Sequence, residues 1–330
     1  MSTRRETRFG TGLLESLEFE PRRTLFVSME IPWKLVAPRL RSLPLHVEFV
    51  RSMERTTLDQ AEGALPALDT VIGVGGGSAL DFAKYLAWKR ELRLILIPSI
   101  VSVDACVTPS IGVRDHGRVH YVGHVEPESL LVDFELIREA PPRLNRAGAG
   151  DILSIHTGSF DWLLGHGKDG ERYHRDVARR CAELLRELER SAGEISQVTD
   201  KGIRTLVELF EAENRLCQSI GSSRPEEGSE HFFAYNAELS TGKQFIHGEI
   251  VSLGILLMSR LQENEPEWVM GLLEDLGVLY RPAEIGLEPE ELRDALATLD
   301  VFCRQEGLPY TVIRETLAAP DRIDALISDL

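Results

Sequence analysis

Hydrophobic periodicity changes once along this chain, near Asn145, and that change restricts the possible folds more than any other feature. Before it come apolar runs of strand length: TLFVSM (24–29), HVEFV (46–50), TVIGV (70–74), RLILIPS (93–99) and SLLVDF (129–134). Stretches with helical spacing, such as EIPWKLVAPRL and LDQAEGAL, lie between several of them. Strands that alternate with helices in this way are expected to run parallel, with the helices as crossovers. Beyond Asn145 the chain reads as helices alone: AGDILSIHTGSFDWLLG, HRDVARRCAELLRELERS, DKGIRTLVELFEAENRLCQSI, SEHFFAYNAEL and HGEIVSLGILLMSRLQ, then shorter acidic amphipathic segments. LGHGKDGERYH and IGSSRPEEGS are expected to be turn-rich breaks between them. The expected architecture is α/β plus all-α, with a parallel-sheet domain over residues 1–145 and a helical domain over 146–330. A length of 330 residues, too great for a typical single core, agrees with two domains.

Composition narrows the function classes. Lysine and arginine total 37 against 53 aspartates and glutamates, a net charge of −16, which would repel a phosphate backbone and argues against nucleic-acid binding. Cys106, Cys181, Cys217 and Cys303 are widely separated with no CxxC spacing. They suit a reducing compartment and the role of small apolar fillers. The N-terminal segment has arginines but no apolar run of signal-peptide type. The longest apolar stretch, LILIPSIVSVDACV, contains Pro98 and Asp104 and is too short to cross a bilayer. A cytoplasmic chain with no membrane partner is expected.

Two loops are candidates for ligand contact. In TVIGVGGGSALDFAKYLAW an apolar strand meets Gly75, Gly76, Gly77 and Ser78 and continues as a helix. Consecutive glycines let backbone approach a ligand closely, and the start of a helix presents unpaired N–H groups and a positive dipole end, which suits a pyrophosphate. The GxGxxG pattern fails here, because Ser78 stands where the third glycine belongs, so a tight turn without ligand is the competing reading. The second loop, PSIVSVDACVTPS (98–110), carries Ser99, Ser102 and Asp104 after the next strand, at the same expected sheet edge. Asp104 can equally be a turn residue.

The helical half holds a third constellation. Asp151 follows AGAG at what reads as a helix start, where an N-cap role competes with any other. His231 sits in a helix entered through EEGSE, and His247, sixteen positions later, opens another; Gly248 beside it would permit close packing. One carboxylate and two imidazoles at the rims of separate helices would make an open site for a divalent ion, zinc or iron, with positions left for water or substrate.

Taken together, GVGGGSALDFAKY, AGAGDILSIHTGSFDW and GSEHFFAYNAE…IHGEIVSLGI resemble the iron-containing alcohol dehydrogenase and dehydroquinate synthase-like superfamily, and within it the sn-glycerol-1-phosphate dehydrogenase branch. The resemblance runs from about Arg8 to PYTVI (309–313). It implies a Rossmann-like domain binding NAD or NADP, then a helical domain binding one divalent metal, zinc or iron, and the substrate. By position it implies Asp151, His231 and His247 as metal ligands, and Gly75, Gly76, Gly77, Ser78, Asp81, Ser99 and Ser102 as cofactor contacts. Asp104 matches the substrate-contacting aspartate. Asp81 and Lys84 complete GGGxxxDxxK; Lys84 is a candidate catalytic residue, with a surface role as the alternative. The implied activity is hydride transfer between a small alcohol or polyol, phosphorylated or not, and its carbonyl, in a homo-oligomer. The alternative is a synthase-like lyase or cyclase that uses bound NAD without net redox change, although those enzymes place glutamate where Asp151 stands.

Three positions depart from the branch: Ile155 replaces a lysine, Val103 replaces the middle residue of Ser-His-Asp, and Tyr235 replaces a histidine one helical turn after His231. These changes remove charge-assisted contacts to a phosphate and make the expected pocket more apolar. Tyr235 shares the face of His231 and can donate a hydrogen bond or relay a proton, or can simply pack beside the site. Glu30, after the first apolar run, could favour an unphosphorylated ribose or face solvent.

Overall fold

The computed structural model describes residues 5–316 and 320–327. The chain folds as two compact units, Met1–Asn145 and Arg146–Leu330.

In the first unit the strands are β1 (Glu6–Gly10), β2 (Thr24–Ser28), β3 (His46–Phe49), β4 (Thr70–Gly75), β5 (Arg93–Pro98), β6 (Ser110–Asp115), β7 (Arg118–His124) and β8 (Ser129–Asp133). Helices α1 (Glu30–Val36), α2 (Arg55–Ala64), α3 (Gly77–Arg90) and α4 (Phe134–Glu139) accompany them. Six strands form one sheet in the order β1-β8-β5-β4-β2-β3, and every pairing is parallel. Such a sheet must cover both faces, which is why β2 and β4 are buried along their whole length. A core of Phe26, Ile72, Val74, Ile97, Leu131 and Leu136 closes one face, with Val36 from α1. Phe19 and Trp33 set their rings edge-on to Phe26 at 5.0 and 5.6 Å.

Two elements were not expected. Strand β1 (ETRFG) has one large apolar residue and pairs at the sheet edge with β8, Arg8 opposite Leu131. Consequently the strand counted first in the sequence is second in the chain, and the glycine turn follows β4. The antiparallel pair β6–β7 begins where the expected 98–110 loop ends and turns through His116 and Gly117, both at positive φ (51° and 79°). Two successive left-handed residues are what a two-residue hairpin needs.

The second unit contains α5 (Pro142–Leu153), within which the unit boundary falls, then α6 (Ile155–Asp169), α7 (Arg175–Arg190), α8 (Ala192–Ser196), α9 (Asp200–Ile220), α10 (Ser229–Thr241) and α11 (His247–Gln262). There follow α12 (Pro266–Leu276), α13 (Pro282–Ile285), α14 (Pro289–Gln305), α15 (Ile313–Thr316) and α16 (Pro320–Ile327). Helix α11 is central: every residue from Gly248 to Ser259 is buried. Two expectations are corrected. Helix α5 starts upstream at Pro142, so Asp151 lies in its last turn, not at a helix start, and the N-cap reading fails. Helix α6 continues through LGHGKD to a left-handed cap at Gly170 (φ 71°), so only the second half of that expected break is irregular.

Candidate metal centre

Asp151, His231 and His247 come from three different helices, yet one donor atom from each lies within 4.8 Å of the other two. The Asp151 Oδ1 atom is 3.3 Å from His247 Nε2 and 3.7 Å from His231 Nε2, and the two imidazole centroids are 5.3 Å apart. Small residues make this approach possible. A Cβ on Gly248 would sit 1.8 Å from the Ala147 carbonyl oxygen, and one on Gly150 would sit 2.3 Å from that of Gly248. Backbone of α5 therefore rests directly on the start of α11, which places Asp151 beside His247, the first residue of that helix. His231 lies in the first turn of α10, whose close packing on α11 depends on Gly254: a Cβ there would be 2.6 Å from the Glu230 carbonyl oxygen.

The donors are strongly polarised. Burial alone would raise Asp151, but His247 and His231 outweigh it and hold the carboxyl well below the usual carboxylate range. Burial would likewise lower His231, but Asp151 and Glu230 outweigh it and hold the imidazole well above its ordinary value. A cation there would neutralise the same carboxylates, and one oxygen with two imidazole nitrogens is a donor set that zinc or iron(II) accepts. The residues fit such an ion.

Several residues around the donors gave no sequence signal strong enough to be named. Glu230, fully buried, lies 3.0 Å from His231 Nδ1. Tyr235, expected to share the His231 face, does so with ring centroids 6.1 Å apart, and its hydroxyl donates to Glu227 Oε1 at 2.8 Å. Glu226 is a half-buried acid that desolvation pushes up, with Asp151 and Glu227 adding to the effect. The connection from α9 to α10 is pinned by Arg224, which donates to Glu171 and to the carbonyls of Asp161, Glu227 and Tyr310. Asp161 accepts from the Ser229 N–H and hydroxyl and from the Val312 N–H; burial and then Glu230 push its carboxyl up to about 6. The run PEEGSEH signalled these acids only as a cluster next to a histidine. Ile155, which departs from the lysine of the branch the chain resembles, is buried at the start of α6.

In the first unit the glycine turn occupies a defined place in the sheet. From β2 the chain moves outward to β3, then crosses back to β4 on the other side of β2, so the order reverses between β2 and β4. Open parallel sheets bind ligands beyond the carboxyl ends of the strands at such a reversal, and Gly75–Ser78 begin there. Gly75 has φ 151°, a conformation only glycine adopts readily, and a Cβ on it would lie 2.7 Å from Ala79 Cβ. Gly77 and Ser78 open α3, whose N-terminal amides have no acceptor within the helix. Ser78 is exposed, Ser99 is buried with its N–H bonded to the Gly75 carbonyl, and Ser102 and Asp104 are half-buried on the following loop. Asp104 opens a short 3₁₀ turn.

The surface alternative for Lys84 is corrected. The lysine is fully buried, so it is no surface residue, and its ammonium faces Asp81 Oδ1 at 2.6 Å and the carbonyls of Ser110 and Thr108 at 2.7 and 3.2 Å. These contacts tie the end of the 98–110 loop to α3. Burial pushes Asp81 up, opposed by Lys84 and the Gly112 N–H. All four cysteines are buried free thiols, and burial raises each of them, Cys106, Cys181 and Cys303 to about 12. Glu30 is exposed in the first turn of α1. Among the described residues no helix is long and apolar enough to cross a membrane.

A parallel sheet with a glycine turn at its reversal, followed by a helical unit with an O,N,N donor cluster, is the two-part layout of a metal-containing, nucleotide-linked oxidoreductase. A family profile described as iron-containing alcohol dehydrogenase matches residues 13–141. The NAD(P)+-linked glycerol-1-phosphate dehydrogenase of Hyperthermus butylicus is 30% identical over 323 residues, covering 93% of this chain and 91% of that protein. The chain belongs to the iron-containing alcohol dehydrogenase family. Its fold is also that of glycerol dehydrogenase from Schizosaccharomyces pombe (TM-score 0.71, 19% identity, 98% of this chain and 89% of that one). Sulfoacetaldehyde reductase from Bifidobacterium kashiwanohense, solved in complex with NAD+, shares it too (TM-score 0.72, 15% identity, 99% and 98%). The α/β plus all-α architecture expected from the sequence is the one observed.

Proposed function

We propose that this protein is a metal-dependent, NAD(P)-linked dehydrogenase that interconverts a small polyol, or its phosphate monoester, and the corresponding carbonyl by hydride transfer. The observation that carries the reading is the convergence of Asp151, His231 and His247, three donors from three helices within 4.8 Å. Its relative in Hyperthermus butylicus is named for glycerol 1-phosphate and NAD(P)+, which supports a glycerol-sized substrate and a nicotinamide cofactor.

Asp151, His231 and His247 would hold the ion through one oxygen and two nitrogens. When bound, zinc or iron supplies a Lewis acid that polarises the substrate oxygen. Amides of Gly76, Gly77 and Ser78 and the positive end of α3 would take the pyrophosphate, with Asp81, Ser99 and Ser102 around the same seat. This fixes the dinucleotide by its backbone contacts and leaves the nicotinamide to accept or return hydride. Tyr235, anchored on Glu227, would meet a substrate hydroxyl, and Asp104 would make the substrate contact that the family resemblance implies. Lys84 holds the loop that carries Asp104. We assign the enzyme to the cytoplasm, where its four free thiols persist, and to a homo-oligomer acting on small molecules, without a nucleic-acid partner at a net charge of −16.

The test is nicotinamide absorbance with dihydroxyacetone, its phosphate and short aldehydes, using NADH and NADPH in turn. Turnover that vanishes on chelation and returns with zinc or iron(II) is expected. A metal-loaded protein that binds neither nicotinamide would overturn the proposal, and product formation without net NADH change would move the protein to the lyase or cyclase reading.

A further inference from the structure

We infer that Glu230 is the positioning residue of the metal centre: it locks His231 in the tautomer and orientation that aim Nε2 at the ion. The inference rests on the proposed function, since it takes the cluster to be a metal site.

Glu230 has no solvent exposure, and both of its carboxylate oxygens have partners. Its Oε1 accepts the Gly228 N–H at 2.6 Å and faces His231 Nδ1 at 3.0 Å; its Oε2 accepts the Thr157 hydroxyl at 2.8 Å. An ionised carboxylate can only accept, so the imidazole must carry its proton on Nδ1 and present the Nε2 lone pair. That nitrogen is the one 3.7 Å from Asp151 Oδ1, on the side where the donors converge. The ring can neither flip nor change tautomer without losing its Nδ1 contact with a fully buried carboxylate, which is costly.

Glu230 is itself held from two neighbouring helices. Its backbone touches α11 at Gly254, where a side chain would collide with it, and Thr157 comes from α6. Gln262, at the end of α11, donates to the Thr157 carbonyl at 3.1 Å and fixes that residue in turn. Beside a ring that binds a dication, a buried carboxylate raises ligand basicity and adds attraction from one shell out. The other imidazole differs in this respect: the His247 side chain is 35% exposed against 9% for His231, so Glu230 acts on the less exposed of the two donors.

The experiment is competition titration of Zn2+ against a chromogenic chelator with metal-free wild type, Glu230→Gln and Thr157→Val, together with the melting temperature of each metal-free form. Gln keeps the size of the side chain and an acceptor for Gly228 but loses the charge. The wild type should bind one Zn2+ per chain, and Glu230→Gln should bind it about 10- to 100-fold more weakly with an unchanged metal-free melting temperature. Equal affinity in wild type and Glu230→Gln would overturn the role of Glu230 and leave the metal site standing. A wild type that binds no Zn2+ would overturn the metal site and, with it, this inference. Should Glu230→Gln fail to fold, Thr157→Val carries the test: loss of the hydroxyl that holds Oε2 should weaken Zn2+ binding in the same direction, and no change would overturn the inference.

Discussion

The glycine turn and the donor cluster are made of different materials. In the first unit the candidate ligand contacts are backbone amides, contiguous in sequence and exposed by the absence of side chains; their geometry follows from one strand, one turn and one helix. In the second unit the contacts are side chains from residues as far apart as 151 and 247, and Gly150, Gly248 and Gly254 sit where one helix touches the next. A local device tolerates changes of side chain that leave the backbone alone. A packed device fails when any one of its contributors moves.

The largest effect should therefore come from the second unit. Asp151→Ala removes the carboxylate shared by both imidazoles and should lower metal affinity by more than about 100-fold, beyond the usual effect of outer residues. Metal content after dialysis measures it, and full metal retention would show that the donors do not act as a set. In the first unit, Gly76→Val would drive a side chain into Ile100, 2.7 Å from the added Cβ, and displace the amides of the turn. The KM for NAD(P)H is expected to rise about tenfold, equivalent to about 1.4 kcal/mol, with metal content unaltered. Ser78→Ala, which keeps the amide, should change that KM little. If the serine hydroxyl matters as much as the glycine, the contrast between backbone and side-chain sites is wrong.

The smallest effect concerns Asp161, whose folded value is about 6 against 3.8 for the free group. Because folding favours its protonated form, its stabilising contribution is complete below about pH 3.8 and is lost as the pH rises through about 6. Denaturant unfolding of metal-free wild type and Asp161→Asn should show a stability difference that narrows across this window. A difference that widens with pH would mean the carboxyl is held ionised by Ser229 and Val312.

How much of this could be read in advance depended on where the signal lay. Five strands were located to within a residue or two, because buried parallel strands are continuous apolar runs. Strand β1 escaped because an edge strand needs few apolar residues, and β6–β7 escaped because most of β7 is exposed, so burial imposes no pattern on it. Asp151, His231 and His247 stood out through their motifs, but the helix holding Asp151 was misplaced: glycines that look like a break are, in α5, the surface on which α11 lies. The surface alternative for Lys84 failed because a lysine at a helical position gives no sign of being buried until the acceptors around it are known.

Apolar periodicity, glycine spacing and net charge were enough to specify a parallel sheet, a helical second half and a chain ill suited to nucleic acid, since each of these depends on neighbours along the chain. Which acid steadies which histidine, and which cation is already spent on carbonyls, came from packing alone. Glu230, Thr157 and Gln262 are ordinary residues until three helices bring them together, because hydrogen bonds are settled over about 3 Å of space whatever the distance along the chain.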